Sequence, residues 1–242
     1  LCWLRTCATW AADFTKPTAR LEGGDGRVLV IRDLASGMQL VAMRCRGERA
    51  AAVCVALSLL FATIGIPLVL KHDGGKAFTG HETQGLLRER SVTSLRSPPY
   101  TPSYNGSCER SLGTFKQRVD HIARIEGHEG RWLPQNLDDA LLEANTTVRL
   151  FGANGPTPAE AFEQRRGVTM EEREAFKQSK ARAIASRLQT FKEENGRMPT
   201  CSKRAAINRK ATQEALCELG YLEIRRGRLS TPVSIWKADI NT

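Results

Sequence analysis

Two periods of apolar and polar positions run through the chain. Residues 8–15, Ala-Thr-Trp-Ala-Ala-Asp-Phe-Thr, read as a strand with a polar end, and residues 27–32 and 38–44 are β-rich runs separated by Leu34-Ala35-Ser36-Gly37. Two strands across a short glycine-containing link predict a hairpin. Residues 48–63, rich in Ala and Leu, predict a helix, 67–70 the next strand, 78–90 a weak helix and 92–95 a short strand. Residues 97–105 hold three prolines and two tyrosines, which predicts an irregular loop. From about Ser107, Leu112, Phe115, Val119 and Ile122 recur at spacings 3, 4, 3, the stripe of an amphipathic helix ending near Ile125. Further helices are predicted over 137–148 and 159–164. Thr169-Met170-Glu171-Glu172 then resembles a capping box opening a long basic helix to about residue 194. A last helix over 203–219 precedes two short runs, 221–225 and 232–236, that predict a terminal hairpin.

This order predicts an α/β fold, a mixed sheet flanked by helices and followed by a basic helical extension. One stretch imitates a membrane span, because residues 50–70 contain no charged side chain over 21 positions. Gly65-Ile66-Pro67 breaks it into two pieces, each too short to cross a bilayer. The second piece runs straight into Lys71-His72-Asp73, as a buried central strand does when it delivers polar residues to its end. No membrane partner is expected.

With 242 residues and 41% apolar content the chain can bury a sizeable core, which excludes a disordered tail or a disulfide-stapled miniature. Its net charge of +10 points to a polyanionic partner. The surplus is uneven: residues 1–164 carry 19 basic and 17 acidic side chains, 165–210 carry 13 and 5, and 211–242 carry 4 and 4. Three regions are therefore expected: a large domain over 1–166, a basic helical linker over 167–197 and a small helix-plus-hairpin segment over 198–242. Seven cysteines without a CxxC pair, and four histidines without zinc-finger spacing, read as reduced thiols and no zinc site. The chain opens on Leu1 rather than Met, which reads as a trimmed product of a longer protein.

Three acids stand where regular elements meet loops: Asp13 ends the first strand, Asp73 the fourth, and Glu109 opens the helix after the proline loop. Carboxylates gathered at one sheet edge suit hard divalent cations, which take oxygen ligands. Two such ions stabilise the attacking and leaving oxygens of an in-line phosphoryl displacement.

Around these acids, Trp10-Ala11-Ala12-Asp13-Phe14-Thr15, Lys71-His72-Asp73-Gly74-Gly75-Lys76-Ala77-Phe78 and Ser97-Pro98-Pro99-Tyr100-Thr101-Pro102-Ser103-Tyr104-Asn105-Gly106-Ser107-Cys108-Glu109-Arg110 resemble the signature blocks of the integrase catalytic core, the family of retroviral integrases and bacterial insertion-sequence transposases with a DDE triad. The 35 residues between Asp73 and Glu109 match the family's gap, and Asn154-Gly155-Pro156-Thr157-Pro158 is similar to the block that closes the core in bacterial members. The resemblance implies a ribonuclease H-like fold with a five-stranded sheet, and a triad of Asp13, Asp73 and Glu109 holding two Mg2+ or Mn2+ ions. It also implies cleavage of a DNA strand and transfer of the freed 3′-hydroxyl to target DNA, a multimer that joins two element ends, and a cytoplasmic, nucleoid-associated place in a bacterium. Tyr100, Asn105, Arg110 and Lys116 become DNA contacts on the same ground.

Rival readings accompany these. Lys116 lies seven residues after Glu109, on the same helix face, and is either a phosphate contact or a solvated lysine. Tyr100 and Tyr104 either stack on bases or anchor the loop. The basic stretch either tracks phosphates or is a solvated face, and Arg225, Arg226 and Arg228 would put charge on the terminal hairpin as a wing. Asp33 is a competing strand-end acid. The alternative function is a catalytically inactive DNA-binding or assembly remnant of a mobile element, and a core that hydrolyses without joining is a third.

Overall fold

The computed structural model describes residues 1–23, 26–98, 102–149 and 152–225, with the backbone alone for 102–109. Along the chain the elements are β1 (Cys2–Trp3), β2 (Thr9–Thr15), β3 (Arg20–Leu21), β4 (Arg27–Asp33), β5 (Gln39–Cys45), α1 (Ala50–Thr63), β6 (Val69–His72), α2 (Lys76–Thr79), α3 (His81–Glu89) and β7 (Thr93–Arg96). There follow α4 (Pro102–Ile125), β8 (Arg131–Trp132), α5 (Pro134–Thr146), α6 (Pro158–Glu163), α7 (Met170–Asn195), α8 (Cys201–Glu218) and β9 (Leu222–Glu223).

The five main strands form one sheet in the order β5-β4-β2-β6-β7. β2, β4 and β5 are antiparallel neighbours, whereas β6 and β7 join as parallel strands. Alternation along each strand sorts side chains to two faces. Trp10, Leu29, Ile31 and Leu70 pack with Val53, Leu57 and Leu60 of α1 and Phe78 of α2. On the other face, Val28 and Val30 pack under Phe115 and Val119 of α4 and Leu137 and Ala140 of α5. Val69 and Leu95, at the β6–β7 end of that face, pack with Phe176 of α7 and with Ala215 and Leu216 of α8. The result is a three-layer α/β fold, as the sequence pattern predicts. Among the described residues no helix is long and apolar enough to cross a membrane.

One expectation is corrected. The proline-rich loop was expected to run to Asn105, but α4 begins at Pro102. Proline is well suited to a first helical position, since its missing N–H would have no intrahelical partner there. The short run after α8 pairs with the start of the chain: Leu222 and Glu223 are antiparallel to Trp3 and Cys2. Tyr221 and Leu222 are buried against the β6–β7 end of the sheet. The other half of the expected hairpin, with Arg226 and Arg228, lies outside the described residues.

The basic helix α7 starts at the expected capping box, with Thr169 Oγ1 accepting from the Glu172 N–H at 3.2 Å and Glu172 accepting from the Thr169 N–H at 2.9 Å. Its Arg173 is only 7% exposed. The guanidinium donates to the carbonyls of Ile66 (2.7 Å), Pro67 (3.0 Å) and Ser91 (3.1 Å). Those carbonyls precede β6 and β7, so one cation ties α7 to the entry ends of both parallel strands. Replacing Arg173 by Met is expected to lower stability by about 2–4 kcal/mol, since three carbonyls lose a charged donor. Urea denaturation measures it, and a change under about 0.5 kcal/mol would show that the tie is dispensable.

Candidate active site

Parallel pairing of β2 with β6 matches Thr9 with Val69 and ends at Ala12 with His72. Asp13 is the next residue of β2 and Asp73 the first residue beyond β6, so the backbone positions of the two acids lie at the same level. Adjacent strands lie about 4.8 Å apart, which brings like charges close. Asp13 shares its face with Ala11 in β2.

The Asp73 end is shaped by its glycines. Oδ1 of Asp73 accepts from the Gly75 N–H at 2.9 Å, which turns the carboxylate back over the first turn of α2. A Cβ on Gly75 would lie 2.9 Å from that same oxygen, so a side chain there would displace the acid. A Cβ on Gly74 would meet the Arg96 guanidinium at 2.5 Å, so Arg96, the last residue of β7, lies flat against the Asp73-Gly74 turn. Arg96 was missed from sequence, although a cation closing a strand beside an acid-tipped one is a readable signal.

His72 is buried and faces the opposite layer, with its ring stacked on Phe78 at 5.2 Å. Its Nδ1 pairs with the Asp73 carbonyl and its Nε2 lies 2.7 Å from Ser94 Oγ. A carbonyl only accepts, so Nδ1 carries the proton and Nε2 accepts from Ser94. Burial holds its pKa below the usual histidine value. The ring thus fixes the backbone that carries Asp73.

α4 supplies the third wall. Its Ser111 and Leu112 line, with Ala11, Asp13, Val30, Arg32 and Lys71, a cavity of about 20 Å³. That is the scale of a single water, so these groups crowd around one point. A buried polar clamp holds α4 there: Asn145 of α5 accepts from the Gln39 N–H at 2.8 Å and donates to the Gln39 carbonyl at 3.0 Å. The Gln39 side chain then donates to Ser111 Oγ at 3.0 Å. The Asp120 carboxylate fastens the helix further along, accepting from Trp132 Nε1 at 2.7 Å and from Thr18.

Glu109 sits on the backbone of α4 two residues before Ser111, and its side chain lies outside the described residues. The same holds for the side chain of Asn105, and Tyr100 is outside altogether. Arg110 is exposed and Lys116 half-buried, both on α4. Among the described residues no group of three His, Cys, Asp or Glu side chains forms a metal cluster. Two neighbouring carboxylates, with the Glu109 position on the helix that closes the same cavity, are nonetheless an all-oxygen donor set suited to Mg2+ or Mn2+.

Asp33 takes no part in this edge. It is fully buried, accepting from the N–H of Cys7 (2.8 Å), the N–H of Ser36 (2.9 Å) and Ser36 Oγ (2.8 Å). It closes the β4–β5 turn, and burial pushes its carboxyl above the ordinary range despite those donors. Neighbouring Cys7 is pushed up to about 11 by burial and then by Asp33, so it stays a thiol.

No family model matches the chain. It is 30% identical over 139 residues, 57% of its length, to the Gag-Pro-Pol polyprotein of squirrel monkey retrovirus, of which it spans 7%. Over 151 residues it is 29% identical to the Gag-Pol polyprotein of avian reticuloendotheliosis virus, of which it spans 12%. The chain thus corresponds to a small part of these relatives. Among solved structures it resembles the simian T-cell lymphotropic virus intasome (TM-score 0.60, 21% identity, 69% of this chain and 58% of that one). It also resembles the catalytic core domain of BIV integrase (0.53, 23%, 65% and 95%). A third is the HTLV-2 integrase catalytic core domain in complex with magnesium, dimeric form (0.53, 20%, 66% and 98%). These likenesses show a shared fold: the mixed five-stranded sheet flanked by helices is also that of the retroviral integrase catalytic cores.

The His72 arrangement sets a pH dependence. The unfolded chain takes up a proton near pH 6.5, while the folded protein does so only at lower pH. Between those two values the unfolded state binds more protons, so stability falls as pH falls through that window. The drop in urea midpoint from pH 7.5 to 5.5 is expected to be smaller in His72→Gln than in wild type. Equal drops would mean that His72 does not contribute.

Proposed function

We propose that the chain is the core of a DDE-type polynucleotidyl transferase that cuts and joins DNA strands at the ends of a mobile element. The observation that supports this reading is the parallel register that ends with Ala12 beside His72, one residue before Asp13 and Asp73, while Ser111 and Leu112 of α4, the helix that carries Glu109, line the cavity at Asp13. These three acids are the proposed ligands of two Mg2+ or Mn2+ ions, whose chemistry is to activate the attacking oxygen and stabilise the leaving one. The Gly75 N–H orients Asp73, and the clamp from Asn145 through Gln39 to Ser111 holds α4 in place. Lys116 and Arg110 on α4, with Asn105 and Tyr100 before them, are the proposed contacts to the DNA end, and Arg96 adds a cation beside Asp73.

Self-association fits the same reading. Val55 and Leu59 of α1 are 63% and 61% exposed, on an apolar helix whose other side is core. A second copy of the chain is the proposed occupant of that face, in line with the dimeric and trimeric forms of the HTLV-2 integrase core.

Two experiments test this. Duplexes taken from the genomic flanks of the gene, incubated with the protein and Mn2+, are expected to be nicked and joined to plasmid DNA. Asp73→Asn should lower both steps by about a thousandfold or more, within the span that catalytic electrostatics supply. Equal activity of the two proteins would refute the assignment, and binding without metal-dependent cleavage would favour an inactive remnant. By sedimentation, Leu59→Glu should shift the protein toward monomer, and an unchanged mass would remove α1 from the interface.

A further inference from the structure

Across the sheet, one row of side chains departs from its surroundings. Arg32 on β4 and Lys71 on β6 both pair with Ala11 on β2, and Gln39 on β5 pairs with Arg32. The row Gln39, Arg32, Ala11, Lys71 therefore crosses four strands on one face beneath α4. Val28 and Val30 on β4 and Val69 on β6 are apolar positions of that face beside the row. Lys71 is 5% exposed, in a central strand where its neighbours are Leu68, Val69 and Leu70. A lysine buried to that degree needs an anionic partner or acceptor to offset its desolvation.

The row adjoins the acids. Asp13 and Asp73 stand two residues further along the strands that carry Ala11 and Lys71, roughly 7 Å away along the strand direction. Lys71, Arg32 and Asp13 line the same cavity of about 20 Å³, with Ser111 and Leu112 of α4 as its roof. Two cations thus line, with Asp13, one space of restricted solvent, and Lys71 lies two positions before Asp73.

We propose that Lys71, aided by Arg32 across Ala11, is the resident counter-charge of the acid pair. It holds the carboxylates together when no divalent ion is bound, and it sets how tightly such an ion binds. The inference rests on the reading of Asp13 and Asp73 as metal ligands. Like-charged carboxylates on adjacent strands repel, and a fixed cation behind them lowers that cost in the metal-free protein. The same cation opposes an incoming divalent ion, so the protein trades metal affinity for a preformed site. Lys71 is a positioning residue here, acting on the ligands and not on the reacting atoms.

The test uses the full chain and Mn2+ alone, titrated by the EPR signal of the free ion, with thermal unfolding in chelator alongside. Lys71→Met should bind Mn2+ about tenfold more tightly, the scale of removing one partly screened charge at this distance. It should also unfold at lower temperature in chelator and regain part of the loss when Mn2+ is added. Lys71→Arg, which keeps the charge, should bind Mn2+ as wild type does. Arg32→Met should shift affinity in the same direction, and it carries the test if Lys71→Met does not fold. Mn2+ affinity within twofold of wild type in the methionine variants, or weaker, overturns the proposal even if they are less stable, because that is the mark of a packing role alone. Asp13→Asn separates the two levels. If it binds Mn2+ as well as wild type, the acid pair is not the metal site and both readings fall. If it binds more weakly while Lys71→Met is unchanged, only the counter-charge is wrong.

Discussion

A parallel ladder four residues long, from Thr9 with Val69 to Ala12 with His72, determines where the chemistry of this molecule sits. The ladder stops while β2 continues against β4 as far as Thr15 with Val28. Asp13 is therefore held by one neighbour strand and released by the other, while Asp73 steps off β6 into the Gly74-Gly75 turn. A shift of one residue in this register would send either acid to the opposite face, into the layer of Trp10, Phe78 and α1. The buried packing of Trp10 and Leu70 on that layer resists such a slip.

Bringing two carboxylates together has a cost that the surroundings meet locally. The Gly75 N–H draws Asp73 toward the start of α2, where a side chain on Gly75 would not fit. His72 anchors the same backbone from the other face through Ser94 and the Asp73 carbonyl. Basic and amide side chains occupy the row of Gln39, Arg32 and Lys71, with Val30 and Val69 on the same face beside it.

The two strand-end acids were legible because each terminates an apolar run, and the apolar stripe of α4 was legible from Leu112, Phe115, Val119 and Ile122. The start of α4 was not, because three prolines and Asn105-Gly106 read locally as turn, whereas the helix begins at Pro102. The clamp joining Asn145 to Gln39 bridges 106 positions, and no local pattern encodes that distance. Nor does anything in a two-residue run reveal that Leu222 will pair with Trp3, since the gain comes from burying Tyr221 and Leu222 beside Ala8 and Leu68. Lys71 was visible as the polar end of a strand, but only the register with Ala11 and Arg32 shows that it sits behind the acids.

Charge is where sequence and structure diverge most in meaning. The stretch 165–210 holds eight surplus positive charges, yet they are not equivalent. Arg173 is spent on three carbonyls inside the fold, and Lys180 donates to Thr93 Oγ1 at 3.3 Å, with burial lowering its pKa. Arg182 and Arg187 pair with Glu218 and Glu214, which ties α7 to α8. What stays exposed is concentrated at the far end of the α7–α8 hairpin: Lys192, Arg197, Lys203 and Lys210. There a groove of about 350 Å³ opens between the helices, with Lys203 and Lys210 beside Phe191 and Ile207. Exposed pairs such as Arg182–Glu218 add little to stability and little to the distant field. This tip therefore carries a cluster of exposed cations, while Arg173, Arg182 and Arg187 tie the helices to the sheet and to each other. The net charge of +10 is a sum over two tasks, and only the structure separates them.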